Sequence, residues 1–241
     1  PRQPYLTALV QLVADCDQRG LIVDVTLSRG KSGAKPPRLM SHEAHRRAVR
    51  TLIEVLKPHR NWYLDLSNER NIGDSRHASM EDLHDLRELV RQLDAERLVT
   101  ASHGGDISSE ELREYLQVAR VDFITPHRPR DASSPSQTAS KTADYLARMR
   151  DLGRVVPVHY QEPFRRGYDG KWQPSDNDFS TDLSQARAGE AAGWCFHNGD
   201  ERGRPDGRPR RSFDLSEESL FDQLDEEERR FVDTLTVGQM P

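Results

Sequence analysis

The chain has 241 residues, enough to bury a full hydrophobic core as one α/β domain. Lys and Arg total 35 against 40 Asp and Glu, a formal net charge of -5, so nothing in the balance draws a polyanion such as nucleic acid, whereas a neutral polymer needs no such attraction. No run approaches the ~18 consecutive apolar residues of a membrane span, and Cys16 and Cys195 show neither metal-ligand spacing nor the density of a disulfide framework.

Apolar residues at helical spacing, Tyr5, Leu6, Leu9, Val10, Leu12 and Val13, predict a helix almost at the start. The chain begins with Pro1, without Met or a signal peptide, so the start reads as cut and any targeting segment as out of view. Gly20 can cap this helix, and the β-branched run 21–27 predicts the first strand, closed by a turn at Ser28, Arg29 and Gly30. A polar loop follows, and Ser41 is placed to cap a helix to about Lys57 with Ala48, Val49, Leu52, Ile53, Val55 and Leu56 on its apolar side. Strand 62–66 leads to helix 80–93, and strand 97–101 to helix 109–119. Strand 121–125 leads through a Pro/Ser-rich loop to helix 141–152. Strand 155–160 opens the longest loop, 161–178, before helix 183–190. Strand 192–196 is the last, and a helix over 220–235, whose dense charge reads as a solvated face, closes the chain.

The order is a helix and then six βα units. Continuous rather than alternating apolarity means that both strand faces are covered, as in parallel sheets. Doubly wound sheets and barrels both fit, but the chemistry-bearing loops all follow strands, the arrangement of a (β/α)8 TIM barrel, here incomplete at six of eight units. Two of those loops start with a carboxylate. Glu69 ends the run Trp62-Tyr-Leu-Asp-Leu-Ser-Asn-Glu69, and Glu162 ends Val155-Val-Pro-Val-His-Tyr-Gln-Glu162. Retaining glycoside hydrolysis needs such a pair, one carboxyl to protonate the leaving oxygen and one to attack the anomeric carbon, about 5–5.5 Å apart. Residues remote in sequence meet that demand when both stand at the same end of a barrel.

On these residues the chain resembles the clan A (β/α)8 glycoside hydrolases, the clan that includes the cellulase-like family 5 enzymes. There the acid/base is the Glu of an Asn-Glu pair closing strand four, and the nucleophile is a Glu closing strand seven. Asn68-Glu69 and Glu162 match, with the same three-strand interval. The resemblance implies that the visible strands are three to eight, that two βα units precede Pro1, and that 1–241 is a single domain. It also implies roles: Glu69 as acid/base, Glu162 as nucleophile, and Asn68 on the sugar 2-hydroxyl. His127 falls where the clan orients the nucleophile, Trp194 where it builds a sugar platform, and Tyr160 or His159 at the mouth. The expected partner is an oligo- or polysaccharide; no cofactor, metal or nucleic acid is implied, and compartment and oligomeric state are not readable. Two departures stand out: Arg70 follows Glu69 where the clan has Pro, and Thr26-Leu27-Ser28 lacks the His common at the end of strand three.

Two other readings compete. His103, His127 and His159 also end strands, as in metal-dependent barrel hydrolases, with Asp200 the one obvious late acid. The second is a sugar-binding barrel without turnover, for which Phe164, Tyr168 and Trp172 of the long loop are candidate stacking surfaces, as they are for the enzyme.

Overall fold

The structure, a computed structural model, describes residues 3–29, 39–72, 77–167, 172–198 and 218–235. The chain divides into two compact units, Pro1–His127 with Arg148–Pro157, and Arg128–Ala147 with Val158–Pro241.

In the first unit, helix α1 (Gln3–Gln18) precedes β1 (Val23–Thr26), α2 (His42–Leu56), β2 (Trp62–Asp65) and α3 (Met80–Leu93). The segment 99–104 carries two short strands, β3 (Val99–Thr100) and β4 (His103–Gly104); then come α4 (Ser109–Glu114) and β5 (Pro126–His127). Strands β1, β2 and β3 form a parallel sheet in chain order, and β4 pairs parallel with β5. The registers Thr26 to Asp65 and Asp65 to Thr100 align the strand ends, so the following loops leave from one edge. The predicted strand 121–125 is bonded through Asp122 N to Val99 O (2.9 Å) and Ile124 N to Pro157 O (3.0 Å), while its ladder forms further on, at β5.

The helices form where capping chemistry and apolar spacing agree. The Ser41 side chain accepts Ala44 N at the start of α2, and Ser79 with Asp82 makes a capping box for α3. Val49, Leu52, Ile53 and Leu56 of α2 and Leu83, Leu86, Leu89 and Val90 of α3 are buried, and the two helices pack together. The predicted helix 109–119 is real, but its last part, Tyr115–Ala119, widens to a π-helical turn that ends at Arg120 with φ +59°.

In the second unit, β6 (His159–Tyr160) pairs parallel with β7 (Gly193–Trp194). Three helix boundaries differ from expectation. Helix α5 (Ser134–Asp151) begins inside the Pro/Ser-rich stretch read as loop, because a proline in the first turn forfeits no helical hydrogen bond. Helix α6 (Asp176–Ala188) also starts early, at a Ser175/Asp178 capping box. The closing helix is two, α7 (Leu220–Gln223) and α8 (Glu226–Thr234), since Asp225 caps α8 with its own side chain.

Phe164, Phe179 and Phe231 are fully buried in one cluster, with Trp172, Leu183, Trp194, Phe196, Val232 and Leu235 packed on it. Of the long-loop aromatics, Phe164 is therefore core material, and the half-buried Trp172 packs against it edge to face at 5.0 Å. Tyr168 and Asp200, like Gly30, are outside the described residues. Cys16 and Cys195 form no disulfide, and no helix among the described residues is long and apolar enough to cross a membrane.

Candidate active site

Asn68 and Glu69 occupy the turn that leaves β2. Asn68 N donates to Leu27 O beyond β1 (2.8 Å), Arg70 N to Ser102 O between β3 and β4 (3.0 Å), and Ile72 N back to Glu69 O (3.0 Å). Bonded on both sides, the turn holds Glu69 at φ +45°, a left-handed conformation that costs a non-glycine residue roughly 1–2 kcal/mol. Ser102 Oγ accepts the Glu69 N–H at 2.9 Å and donates to the fully buried Asp65. Asp65 Oδ1 also accepts Ser67 N (3.0 Å) and Ser102 N (3.1 Å). Gly104 is what admits the glutamate: a Cβ there would meet Ile72 Cδ1 at 3.1 Å and Glu69 Cδ at 3.4 Å. Asn68 itself is half-buried.

His127, at the end of β5, meets this carboxyl. Its Nδ1 is 3.4 Å from Glu69 Oε1, with the imidazole 1% exposed and the Glu69 side chain 16%. An imidazole can donate to a carboxylate or accept from a carboxylic acid, so the contact serves either protonation state of Glu69. Arg70 is turned elsewhere: its guanidinium donates to Ala78 O (3.3 Å), reaches Glu111 Oε1 (3.5 Å) and stacks over Tyr115 at 5.5 Å. The Arg that departs from the clan's pattern thus braces the turn against α4. His103 serves the same brace, with Nδ1 3.3 Å from the Tyr115 hydroxyl and Nε2 3.5 Å from Glu111.

Two carboxyls that sequence reading passed over stand behind this turn, Asp65 fully buried and Asp24 half-buried. Burial pushes the Asp65 carboxyl up from its ordinary range. Asp24 on β1 is pushed up to about 7, first by burial and then by Asp65, and accepts the Thr26 hydroxyl at 2.9 Å. An acid whose folded pKa exceeds its unfolded value contributes stability that is complete below the unfolded value, 3.8, and is lost as pH rises through about 7. Asp24→Asn removes the charge and keeps an oxygen for Thr26. It should therefore melt with the native protein near pH ~4 and be more stable by a few kcal/mol near pH ~8. Equal melting temperatures at both values would refute the buried charge.

In the second unit, Glu162 follows β6 by two residues. Arg130 Nη2 donates to its Oε2 at 3.0 Å, and His197 Nε2 stands 3.8 Å from the same oxygen. His197 Nδ1 donates to Pro163 O (3.0 Å), so in the neutral ring Nε2 is the acceptor, and it takes Arg165 Nη1 at 3.0 Å. Burial draws its pKa down to about 4, with Arg130 and Arg165 pulling the same way against Glu162, so His197 is neutral at pH 7 and the cation at Glu162 is Arg130.

Strand alternation sorts the other expected residues. Tyr160 and Trp194 are register partners and share one face of the β6–β7 pair. Tyr160 is 1% exposed with its hydroxyl 2.7 Å from Thr142 of α5, and Trp194 donates its indole N–H to Asp182 of α6 at 2.7 Å. Tyr160 is thus packed on the helix side, and Trp194, half-buried, is braced on the same side by α6. His159 takes the opposite face, over Gly193, where a Cβ would come within 2.2 Å of its Nδ1, and its Nε2 is 3.7 Å from Cys195 Sγ. Of the pair His159 and Tyr160, His159 is the one facing away from the helices. Neither His103 nor His159 joins a cluster of metal-ligating side chains among the described residues.

No protein-family model and no curated protein sequence matches the chain. Solved structures do. XacCel5A in complex with cellopentaose aligns with 97% of this chain and 80% of its own at 14% identity and TM-score 0.59. The β-mannanase from Streptomyces thermolilacinus with mannohexaose aligns with 93% and 72% at 15% identity and TM-score 0.56. The FMN-binding β-glucuronidase from Facaelibacterium prausnitzii L2-6 aligns with 74% of this chain at 20% identity and TM-score 0.54, and the chain spans 28% of that protein's length. The likeness shows the fold, a (β/α)8 barrel, here with open sheets.

Proposed function

We propose that the chain is a retaining glycoside hydrolase that cleaves an O-glycosidic bond of a neutral oligo- or polysaccharide, with Glu162 as nucleophile and Glu69 as acid/base. What carries this reading is the pair of strand-closing glutamates, each held by a dedicated partner, His127 for Glu69 and Arg130 for Glu162. Structures of the same fold hold cellopentaose and mannohexaose, which makes gluco- and manno-oligosaccharides the first substrates to try.

In this mechanism a Glu162 carboxylate oxygen attacks the anomeric carbon while protonated Glu69 delivers its proton to the departing oxygen, leaving a glycosyl ester on Glu162. Glu69, now ionised and accepting from His127, takes a proton from water as that water opens the ester. The left-handed turn fixes Glu69 before substrate arrives. The reading requires the two carboxyls to approach to about 5–5.5 Å, the spacing of retaining enzymes. Proton NMR of the first product from a cello- or manno-oligosaccharide is expected to show retained anomeric configuration. Inversion, or no hydrolysis of either series, would overturn it.

A further inference from the structure

We propose that Arg130 is the positioning residue of the nucleophile: its guanidinium fixes the Glu162 carboxylate in its attacking orientation from a turn built for that purpose. This rests on the reading of Glu162 as nucleophile. The turn between β5 and α5 is tied down before the side chain leaves it. Asp131 Oδ1 accepts both the backbone N–H (2.8 Å) and the hydroxyl (2.6 Å) of Ser133. Ser134 N donates to Asp131 O (3.1 Å), and the Ser134 hydroxyl donates to Pro129 O. On the near side Arg128, 4% exposed, donates to Thr138 Oγ1 at 3.1 Å.

Asp131 is the carboxylate next to Arg130 in the chain and would be its natural local partner. The Ser133 hydroxyl and N–H hold Asp131 instead, keeping its pKa below the usual carboxylate range. Arg130 extends past it to Glu162 Oε2, 32 positions away, and keeps only 12% of its side chain exposed. An arginine held this way loses little further freedom when substrate binds. His197, neutral and oriented by Pro163 and Arg165, walls the same oxygen without supplying charge.

The test compares Arg130→Gln and Arg130→Lys with the native protein on aryl glycosides of the cello and manno series, after circular dichroism establishes that all three fold. A nucleophile displaced by a fraction of an ångström to 1 Å loses turnover and not substrate binding, so Arg130→Gln should lower kcat by about 10²-fold with KM nearly unchanged. Arg130→Lys should recover most of the loss. A loss that falls on KM, an unchanged kcat, or a lysine variant no better than glutamine overturns the assignment. A second readout needs no turnover: carbodiimide labelling of Glu162, followed by mass spectrometry of its peptide. Labelling should be several-fold faster in Arg130→Gln than in the native chain, and equal rates overturn the pairing. If the native chain hydrolyses nothing while labelling still responds to Arg130, the glycosidase reading fails and the Arg130 pairing stands.

Discussion

Glu162→Gln is expected to abolish turnover, by at least about 10³-fold in kcat, while leaving the affinity for a cello- or manno-oligosaccharide within a few-fold of native. The amide has the size and shape of the carboxylate, so the fold and the sugar's contacts persist. Its carbonyl oxygen can still accept the Arg130 N–H now given to Oε2 at 3.0 Å. What the amide cannot do is form the glycosyl ester. Calorimetry and initial rates on the same preparations separate the two quantities. Glu162→Gln with near-native turnover would end the nucleophile assignment. A native chain that binds oligosaccharide and hydrolyses none would instead identify the non-catalytic barrel, because there would be no turnover for the substitution to remove.

The strands, and the interval between the two glutamates, were legible because parallel βα units write themselves as short apolar runs closed by turn residues. Five of the six predicted strand segments contain a strand that pairs in parallel, several of them only two residues long, while the ladder expected over 121–125 forms just beyond it, at Pro126–His127. Helix starts were less legible where the signal was chemical and not periodic. The Ser175/Asp178 box and Pro135 mark the starts of α6 and α5, yet both stretches are too polar to show an apolar face. In the site, Glu69, Glu162 and His127 could be picked out because each ends a strand. Arg130 and His197 could not, since each reaches Glu162 from a different loop across more than 30 positions of sequence. Asp24 and Asp65 were also hidden: an acid inside an apolar run shows that a strand face is polar but not what it faces.

Tyr160 and Trp194 teach a sharper lesson. Trp194 sits where the resembled clan builds its sugar platform and Tyr160 was one of two candidates for the mouth, and period-two alternation together with the His159 to Gly193 register puts both on the helix side. A one-residue difference in register exchanges the two faces of a strand, and no sequence motif records it. Arg70 is the converse case. It departs from the resembled clan's pattern right beside Glu69, yet its guanidinium turns away to Ala78 O and Glu111 and stacks over Tyr115.

Arg97→Met should cost about 3–5 kcal/mol of stability, the loss expected when one partner of a buried ion pair is removed. Arg97 is 3% exposed and donates through Nε (3.2 Å) and Nη2 (3.0 Å) to Asp94 Oδ2, and to the carbonyls of Trp62 (2.8 Å) and His59 (2.7 Å). Its guanidinium also stacks 4.0 Å from the Trp62 ring. Methionine fills much of the volume and supplies none of the donors, so the buried Trp62 carbonyl, the part-buried His59 carbonyl and the buried Asp94 carboxylate lose this donor at once. Arg60, on a largely exposed side chain and 3.3 Å from Asp94 Oδ1, is too solvated to replace it. Adding Asp94→Asn to Arg97→Met should restore part of the loss by removing the stranded charge, a non-additivity that urea denaturation of the four proteins would measure. A single-variant loss under about 1 kcal/mol, or strict additivity, would mean that the pair is solvated. Arg97 anchors the first residue of β2, the end of the strand opposite Glu69. Well below the melting temperature of Arg97→Met, kcat should therefore equal the native value, since the turn that shapes Glu69 is bonded to Leu27 and Ser102 and not to this end of the strand.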